Sequence, residues 1–280
     1  MAVLAFRQVD VFTSQALKGN PLAVVVGADG LADAQMAAFA NWTNLSETTF
    51  LLRPSRPEAD YRVRIFTPSR ELPFAGHPTL GTCHVWLACG GAAKGDIIVQ
   101  ECEAGLIRIR RDGERLAFAA PPLRRSGPPA PELVARITRS LKLAPASIKA
   151  SQWVDNGPGW IAVMLGSRAE ILALQPDYAA LSDLNLGVVA PWDPALDGGQ
   201  AHFEVRAFAP GVGVAEDPVT GSLNAGLAQW LIGSGRAPPA YIVSQGTALG
   251  RAGRVHVAQI GPDIWIGGAT TTCIAGTVTL

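Results

Sequence analysis

The stretch Glu71-Leu72-Pro73-Phe74-Ala75-Gly76-His77-Pro78-Thr79-Leu80-Gly81-Thr82 predicts a turn that leads into a helix, because it is rich in proline and glycine and is followed by the apolar run Cys83 to Cys89. Pro78 restricts its own φ to about −65° and lacks an N–H group, so it suits the first turn of a helix. His77 would then lie at the helix start, where unbonded backbone N–H groups and the helix dipole favour an anion. The turn therefore predicts a small anion site beside a titratable imidazole.

A second stretch with this pattern occurs much later in the chain. It reads Val214-Ala215-Glu216-Asp217-Pro218-Val219-Thr220-Gly221-Ser222 and precedes the helical run Leu223 to Ile232. Asp217 stands directly before a proline, as His77 does, so the pattern predicts Asp217 at the start of the second helix. Two similar helix starts predict two half-domains whose helices point into one cleft.

The strands ahead of the two turns also repeat. Arg62 to Thr67 and Phe203 to Phe208 both alternate apolar and polar side chains, as half-buried strands do. Strand, turn and helix thus recur in the same order, which indicates an internal duplication.

A proline-rich segment marks the predicted domain boundary. Pro121-Pro122 and Pro128-Pro129-Ala130-Pro131 form the clearest change in composition. A chain of 280 residues also suits two domains of ordinary size. We therefore predict a first half at residues 1–125, a second half at 126–265 and a C-terminal strand at 266–280.

Charge and composition limit the classes of partner. The 23 basic and 23 acidic residues balance, so no net field attracts nucleic acid or an anionic membrane. No apolar run approaches the roughly 20 residues of a membrane span, and Arg7 and Asp10 argue against a signal peptide. The sequence therefore predicts a soluble cytoplasmic protein with a small anionic or zwitterionic ligand. The apolar content of 48% is rich for a monomer's surface, so an oligomer interface and a monomer are both open.

Neither a metal nor a cofactor is indicated. The glycine loop Ser244 to Arg251 lacks the features of a phosphate-binding loop, and no dinucleotide fingerprint occurs. Four cysteines lack the spacing of metal ligands, so we expect reduced thiols packed as small apolar groups. They are Cys83, Cys89, Cys102 and Cys273.

Glu47 is the third candidate site residue. It lies between Ser46 and Thr48, directly before an apolar strand. From the local sequence alone, a solvated carboxylate at a strand entrance is the favoured explanation. Partial burial at that place would raise its pKa towards neutrality and suit it to acid–base catalysis.

Together, Glu47, His77 and Asp217 supply three titratable groups, and two of them are predicted at helix starts. If the helix starts face each other, backbone donors would hold a substrate carboxylate while the side chains move a proton. Such an arrangement suits a cofactor-independent isomerase or epimerase. Taken singly, His77 as an exposed helix cap and Asp217 as an N-cap are equally good explanations.

Two further classes of function are open. A non-catalytic small-anion binding or scaffold protein would need the same helix starts. A hydrolase with Ser222 as nucleophile is disfavoured, because Gly221-Ser222-Leu223-Asn224-Ala225 lacks the Gly-x-Ser-x-Gly pattern.

Several segments, in order along nearly the whole chain, resemble the signature blocks of the phenazine-biosynthesis PhzF-like family. They are Val9-Asp10-Val11-Phe12, Gly19-Asn20-Pro21, Asn44-Leu45-Ser46-Glu47-Thr48, Phe66-Thr67-Pro68, Glu71 to Thr79, Glu216 to Ser222, and Gln245-Gly246 with Gly250-Arg251. The chain departs from the family at Ala252-Gly253, where Pro-Ser is frequent.

The resemblance implies an α+β, diaminopimelate epimerase-like fold. Each of two similar domains would be a curved, barrel-like β-sheet wrapped around a central helix, with the active site between them and the C-terminal strand returning to the first. Related epimerases use paired cysteines, but neither helix start here carries one. The resemblance also implies a homodimer.

The same resemblance implies roles for single residues. Glu47 would be the acid and base that shuttles the proton, with His77, Asp217 and Ser222 assisting. Gly76 and Gly221 would offer backbone N–H groups to the substrate. In the best-understood family member the isomerised substrate is trans-2,3-dihydro-3-hydroxyanthranilate.

Overall fold

The computed structural model describes residues 2–280. The chain divides into two compact units, the first formed by residues 2–119 and 267–280 and the second by residues 120–266. The α-helices of this part of the chain are α1 (Asp33–Thr43), α2 (Gly76–Ala88), α3 (Pro131–Ser140), α4 (Arg168–Leu172), α5 (Pro194–Asp197) and α6 (Gly221–Gly233). Each helix within residues 2–280 is too short or too polar to cross a membrane.

Strands dominate both units. Those that precede the chain's crossing to the second unit are β1 (Val3–Val11), β2 (Asn20–Val26), β3 (Thr48–Leu52), β4 (Tyr61–Phe66), β5 (Glu71–Leu72), β6 (Ile97–Cys102), β7 (Gly105–Asp112) and β8 (Arg115–Ala119). The later strands are β9 (Ala150–Trp153), β10 (Trp160–Met164), β11 (Asn185–Pro191), β12 (Phe203–Ala209), β13 (Val214–Asp217), β14 (Ala240–Gln245), β15 (Gly253–Ile260), β16 (Asp263–Gly268) and β17 (Thr270–Thr279).

The two units share one order of strands. In the first, β2 is parallel to β3, β3 antiparallel to β4, β4 parallel to β6, and β6 antiparallel to β7. In the second, the same sequence of pairings runs through β10, β11, β12, β14 and β15. In each unit a long helix precedes the second strand of a parallel pair. Helix α2 precedes β6, which pairs with β4, and helix α6 precedes β14, which pairs with β12. The predicted repetition of strand, turn and helix is thus confirmed in the topology.

Both long helices are predominantly apolar and mostly buried, as expected of a helix enclosed by its domain. In the first unit α2 packs against β1, β2, β3, β4, β8 and β17. Gly81 permits this close packing, because a β-carbon there would collide with the side chain of Leu22 on β2. In the second unit α6 packs against β10 and β15. The C-terminal strand β17 pairs with β1 and so belongs to the first unit.

The predicted position of Asp217 at a helix start is wrong. His77 is the second residue of α2, but the second residue of α6 is Ser222. Asp217 instead ends β13, where it pairs with Ala207 of β12. Asp217 has the extended conformation that a residue before proline favours, whereas His77, which also precedes a proline, lies inside its helix. The second helix begins only after Thr220, its extended N-cap residue.

Candidate active site

The first unit brings two predicted site residues together. Glu47 lies in the segment between α1 and β3, and His77 lies in the first turn of α2. The Nε2 atom of His77 and the Oε2 atom of Glu47 are 3.4 Å apart, and the two side chains are 5% and 17% exposed. A carboxyl group and an imidazole thus face each other in largely dry surroundings.

This burial changes the acidity of Glu47. Removal from water disfavours the charged form and raises the pKa of the Glu47 carboxyl to about 7, while the Ser46 hydroxyl opposes the shift to a smaller extent. The pKa increase expected from the sequence is confirmed. A carboxyl with this pKa can both take up and release a proton at neutral pH.

Asn20 orients the imidazole. Its fully buried side chain places Nδ2 3.3 Å from Nδ1 of His77. An amide nitrogen only donates, so Nδ1 is the acceptor and the proton of the neutral ring lies on Nε2. The Nε2–H group therefore faces Glu47. The sequence predicted no role for Asn20, although a polar residue at the start of the apolar strand β2 was a signal.

The start of α2 is held by side chains from the neighbouring strands. Gln100 on β6 donates from Nε2 to Oγ1 of Thr79 over 3.0 Å, and Tyr61 on β4 donates to Oε1 of Gln100 over 3.0 Å. These buried bonds fix the first turn, in which Gly76 and His77 carry N–H groups that precede the helix's internal hydrogen-bond ladder.

In the second unit a hydrogen-bonded chain holds Asp217. Thr220 donates from Oγ1 to Oδ2 of Asp217 over 2.6 Å, and Gln245 donates from Nε2 to Thr220 Oγ1 over 2.9 Å. The other end of the Gln245 amide accepts from the Thr220 backbone and from Asn224 Nδ2, at 3.0 and 2.8 Å. Gln245 therefore determines the geometry between β13 and α6, a role that the sequence analysis missed. The signal was a buried-strand glutamine at the end of β14, directly before Gly246.

Ser222 also has two partners from one turn. Trp160 donates from Nε1 to Ser222 Oγ over 3.0 Å, and Asn156 donates from Nδ2 to the Ser222 carbonyl over 2.8 Å. Gly221 and Ser222 form the first turn of α6, where backbone N–H groups lack helical acceptors.

The structure therefore gathers the predicted residues into two groups. Glu47, Gly76 and His77 lie together in the first unit, and Asp217, Gly221 and Ser222 lie together in the second. That both groups serve one cleft stays a prediction. For residues 2–280, no three histidine, cysteine, aspartate or glutamate side chains form a group that could hold a metal ion.

Comparison with known proteins gives these groups a context. The family described as phenazine biosynthesis-like protein, PhzC-PhzF, matches residues 9–276. The chain is 36% identical to antisense-enhancing sequence 1 of Schizosaccharomyces pombe, over 97% of each protein. It is also 36% identical to the trans-2,3-dihydro-3-hydroxyanthranilate isomerase of Pseudomonas aeruginosa, over 90% of this chain and 89% of that enzyme.

The fold is shared as well. The crystal structure of a PhzF-family phenazine biosynthesis protein from Enterococcus faecalis matches with a TM-score of 0.81 at 26% identity, over 100% of both chains. The α+β, diaminopimelate epimerase-like fold expected from the sequence is thereby confirmed. Sequence, fold and the names of its relatives agree, and we conclude that this chain belongs to the PhzC-PhzF family and is an isomerase.

Proposed function

We propose that this isomerase moves a proton within a small carboxylate-bearing substrate, without a cofactor, by using Glu47 as both acid and base. The observation that carries the proposal is a carboxyl group whose pKa is raised to about 7 and whose Oε2 lies 3.4 Å from His77 Nε2. A general base works best when its pKa is close to the working pH.

The proton balance requires only one carboxyl group. Glu47 as carboxylate takes a proton from a substrate carbon, and the electron pair of that C–H bond moves into the substrate's π system. The protonated Glu47 then returns the proton to another carbon of the same molecule, so nothing is gained or lost. The Nε2–H group of His77 stabilises the carboxylate before and after the transfer.

Residues at the two helix starts would bind the substrate. The backbone N–H groups of Gly76 and Gly221 and the hydroxyl of Ser222 are donors suited to a carboxylate. Asp217, fixed by Thr220, would accept a hydrogen bond from a polar substituent. The proposal requires these residues of the second unit to reach the molecule on which Glu47 acts.

We propose a cyclic, carboxylate-bearing substrate, because the Pseudomonas aeruginosa relative is named for trans-2,3-dihydro-3-hydroxyanthranilate. We further propose a homodimer, following the family resemblance. Sedimentation equilibrium tests this directly, since the chain mass is 29.3 kDa and a dimer has twice that mass.

Exchange with solvent deuterium tests the function. The protein is incubated in D₂O with trans-2,3-dihydro-3-hydroxyanthranilate, and deuterium in the recovered molecules is measured by mass spectrometry. We expect exchange with the wild type and a rate lower by about 10²- to 10⁴-fold in Glu47→Gln, the usual contribution of general acid–base catalysis. Glu58→Gln is the matched control, because Glu58 is an exposed carboxylate of the same unit.

Two outcomes would contradict the proposal. Exchange at the wild-type rate in Glu47→Gln would exclude Glu47 as the shuttle. A wild type that is thermally stabilised by cyclic carboxylates but exchanges no deuterium with any of them would indicate a non-catalytic anion-binding protein.

A further inference from the structure

The turn that joins β9 to β10 has a defined shape. It reads Asp155-Asn156-Gly157-Pro158-Gly159 and ends at Trp160, the first residue of β10. Oδ1 of Asp155 accepts from the backbone N–H groups of Gly157 and Gly159, both at 2.7 Å. Gly159 has φ of 83°, in the left-handed region that favours glycine. The side chain of Asp155, the first residue of the turn, therefore closes it.

A single glycine brings this turn to the start of α6. Gly226 lies so close to the chain before the turn that a β-carbon would collide with the carbonyl oxygen of Val154. One helical turn earlier, Ser222 is thereby placed beside Asn156 and Trp160. Both partners are buried, with exposed fractions of 7% for Asn156 and 4% for Trp160.

The chemistry of the contact determines the direction of the Ser222 hydroxyl. An indole N–H can only donate, so the oxygen of Ser222 is the acceptor in the 3.0 Å bond from Trp160. The hydroxyl proton must therefore be given to another group. In the chain from residue 2 to residue 280, no acceptor for that proton is found. Accepting the indole N–H also strengthens the hydroxyl as a donor, because linked hydrogen bonds polarise one another.

We propose that Trp160 is a positioning residue of this isomerase, which holds the oxygen of Ser222 so that the hydroxyl proton is directed to an anionic oxygen of the substrate. Asn156 supports the same geometry, because its hydrogen bond to the Ser222 carbonyl holds the first turn of α6 in place. The inference rests on the proposed function, because it takes Ser222 as a substrate contact.

The first test observes the bond itself. In ¹⁵N spectra of the wild type, the indole N–H signal of Trp160 is assigned by its loss in Trp160→Phe. We expect this signal to move in Ser222→Ala, and to move in the wild type when anthranilate, a stable cyclic carboxylate, is added. Anthranilate should leave the signal in place in Ser222→Ala. If the Trp160 indole N–H signal keeps its position both in Ser222→Ala and after anthranilate is added to the wild type, the inference is overturned.

The second test measures anthranilate affinity by calorimetry. Trp160→Phe keeps a large aromatic ring and removes the N–H donor, and we expect affinity to fall by about three- to tenfold. In the Ser222→Ala background the same substitution should have no further effect, because the two residues act through one hydrogen bond. The matched control is Trp192→Phe, which removes an indole N–H bond to Glu204 in the same unit.

The outcomes separate this inference from the proposed function. Unchanged anthranilate affinity in Trp160→Phe, or additive losses in the double variant, would refute the role of Trp160, and so would a wild type that does not bind anthranilate. Exchange at the wild-type rate in Glu47→Gln would refute the function of Glu47 and leave the binding results as they are. If Trp160→Phe does not fold, the indole signal of Trp160 is assigned by triple-resonance spectra of the wild type, and its movement in Ser222→Ala decides alone.

Discussion

The Nε2 atom of His77 lies 3.4 Å from the Oε2 atom of Glu47, and Asn20 occupies the other ring nitrogen. This relationship joins a loop carboxylate to the start of a buried helix. It makes the neutral imidazole a donor towards Glu47, and burial raises the pKa of that carboxyl to about 7.

The rate of deuterium exchange should depend on the protonation of Glu47. Only the carboxylate can remove a proton, so kcat/KM should rise with pH and level off above an apparent pKa of about 7. The profile of the Glu58→Gln control should match that of the wild type. A rate that is already constant from pH 5 upwards would contradict the raised pKa of Glu47.

The same pKa predicts the pH dependence of stability. A carboxyl whose pKa is raised from 4.5 to about 7 on folding binds more protons in the folded state between these values. Its contribution to the free energy of unfolding is present in full below pH 4.5 and is lost as the pH rises through 7. The full change is of order 3 kcal/mol.

Urea unfolding at several pH values checks this expectation. The stability of Glu47→Gln relative to the wild type should increase as the pH rises from 4.5 to 7, because the amide carries no charge to bury. A difference that is the same at every pH would show that Glu47 titrates normally.

Asn20→Ala should lower the exchange rate through the orientation of His77. Without the amide donor at Nδ1, the imidazole can turn or carry its proton on the wrong nitrogen, so kcat should fall by about tenfold with little change in KM. The matched control is Asn41→Ala, which removes a bond from Nδ2 to the carbonyl of Pro68 elsewhere in the first unit. Wild-type kcat in Asn20→Ala would mean that Asn20 does not set the ring's orientation.

Gln245→Leu should destabilise the second unit. The substitution leaves the Thr220 backbone N–H and one N–H of the Asn224 side-chain amide without their acceptor, and it removes the Gln245 donor from the Thr220 hydroxyl that holds Asp217. Unpaired buried donors cost about 1–3 kcal/mol each, so we expect unfolding to become easier by at least about 2 kcal/mol in urea titrations. Gln245→Glu retains the acceptor oxygens and should lose less. Equal losses in the two variants would contradict this account.

The two groups of site residues should act on one ligand. In a crystal structure with anthranilate, we expect the carboxylate at the start of α6, near Ser222, and the ring within reach of Glu47. His77→Gln and Asp217→Asn should each weaken the affinity for anthranilate. A ligand bound by one unit alone, with Glu47 and Asp217 more than two side-chain lengths apart, would end the case for a shared site.

Much of the fold follows from short stretches of sequence, because the rules involved are local. Pro78 is suited to a first helical turn, and α2 does begin just before it, at Gly76. The strands and turns that repeat on either side of the proline-rich segment reappear as two units with one strand order. The main error lies at the second turn, where Asp217 ends β13 and α6 begins only at Gly221, although Asp217 precedes a proline as His77 does.

The sequence by itself determined where α2 starts, where strands repeat, and that Glu47, His77 and Asp217 stand in segments typical of one family. Only the tertiary structure decided their partners. Asn20 is 57 residues from His77, and Trp160 is 62 residues from Ser222. Such contacts are created by the order in which strands pair around a helix, and this order depends on packing across the whole unit. A local sequence pattern does not encode this pairing order. The residues that orient the site were therefore identified only in the tertiary structure.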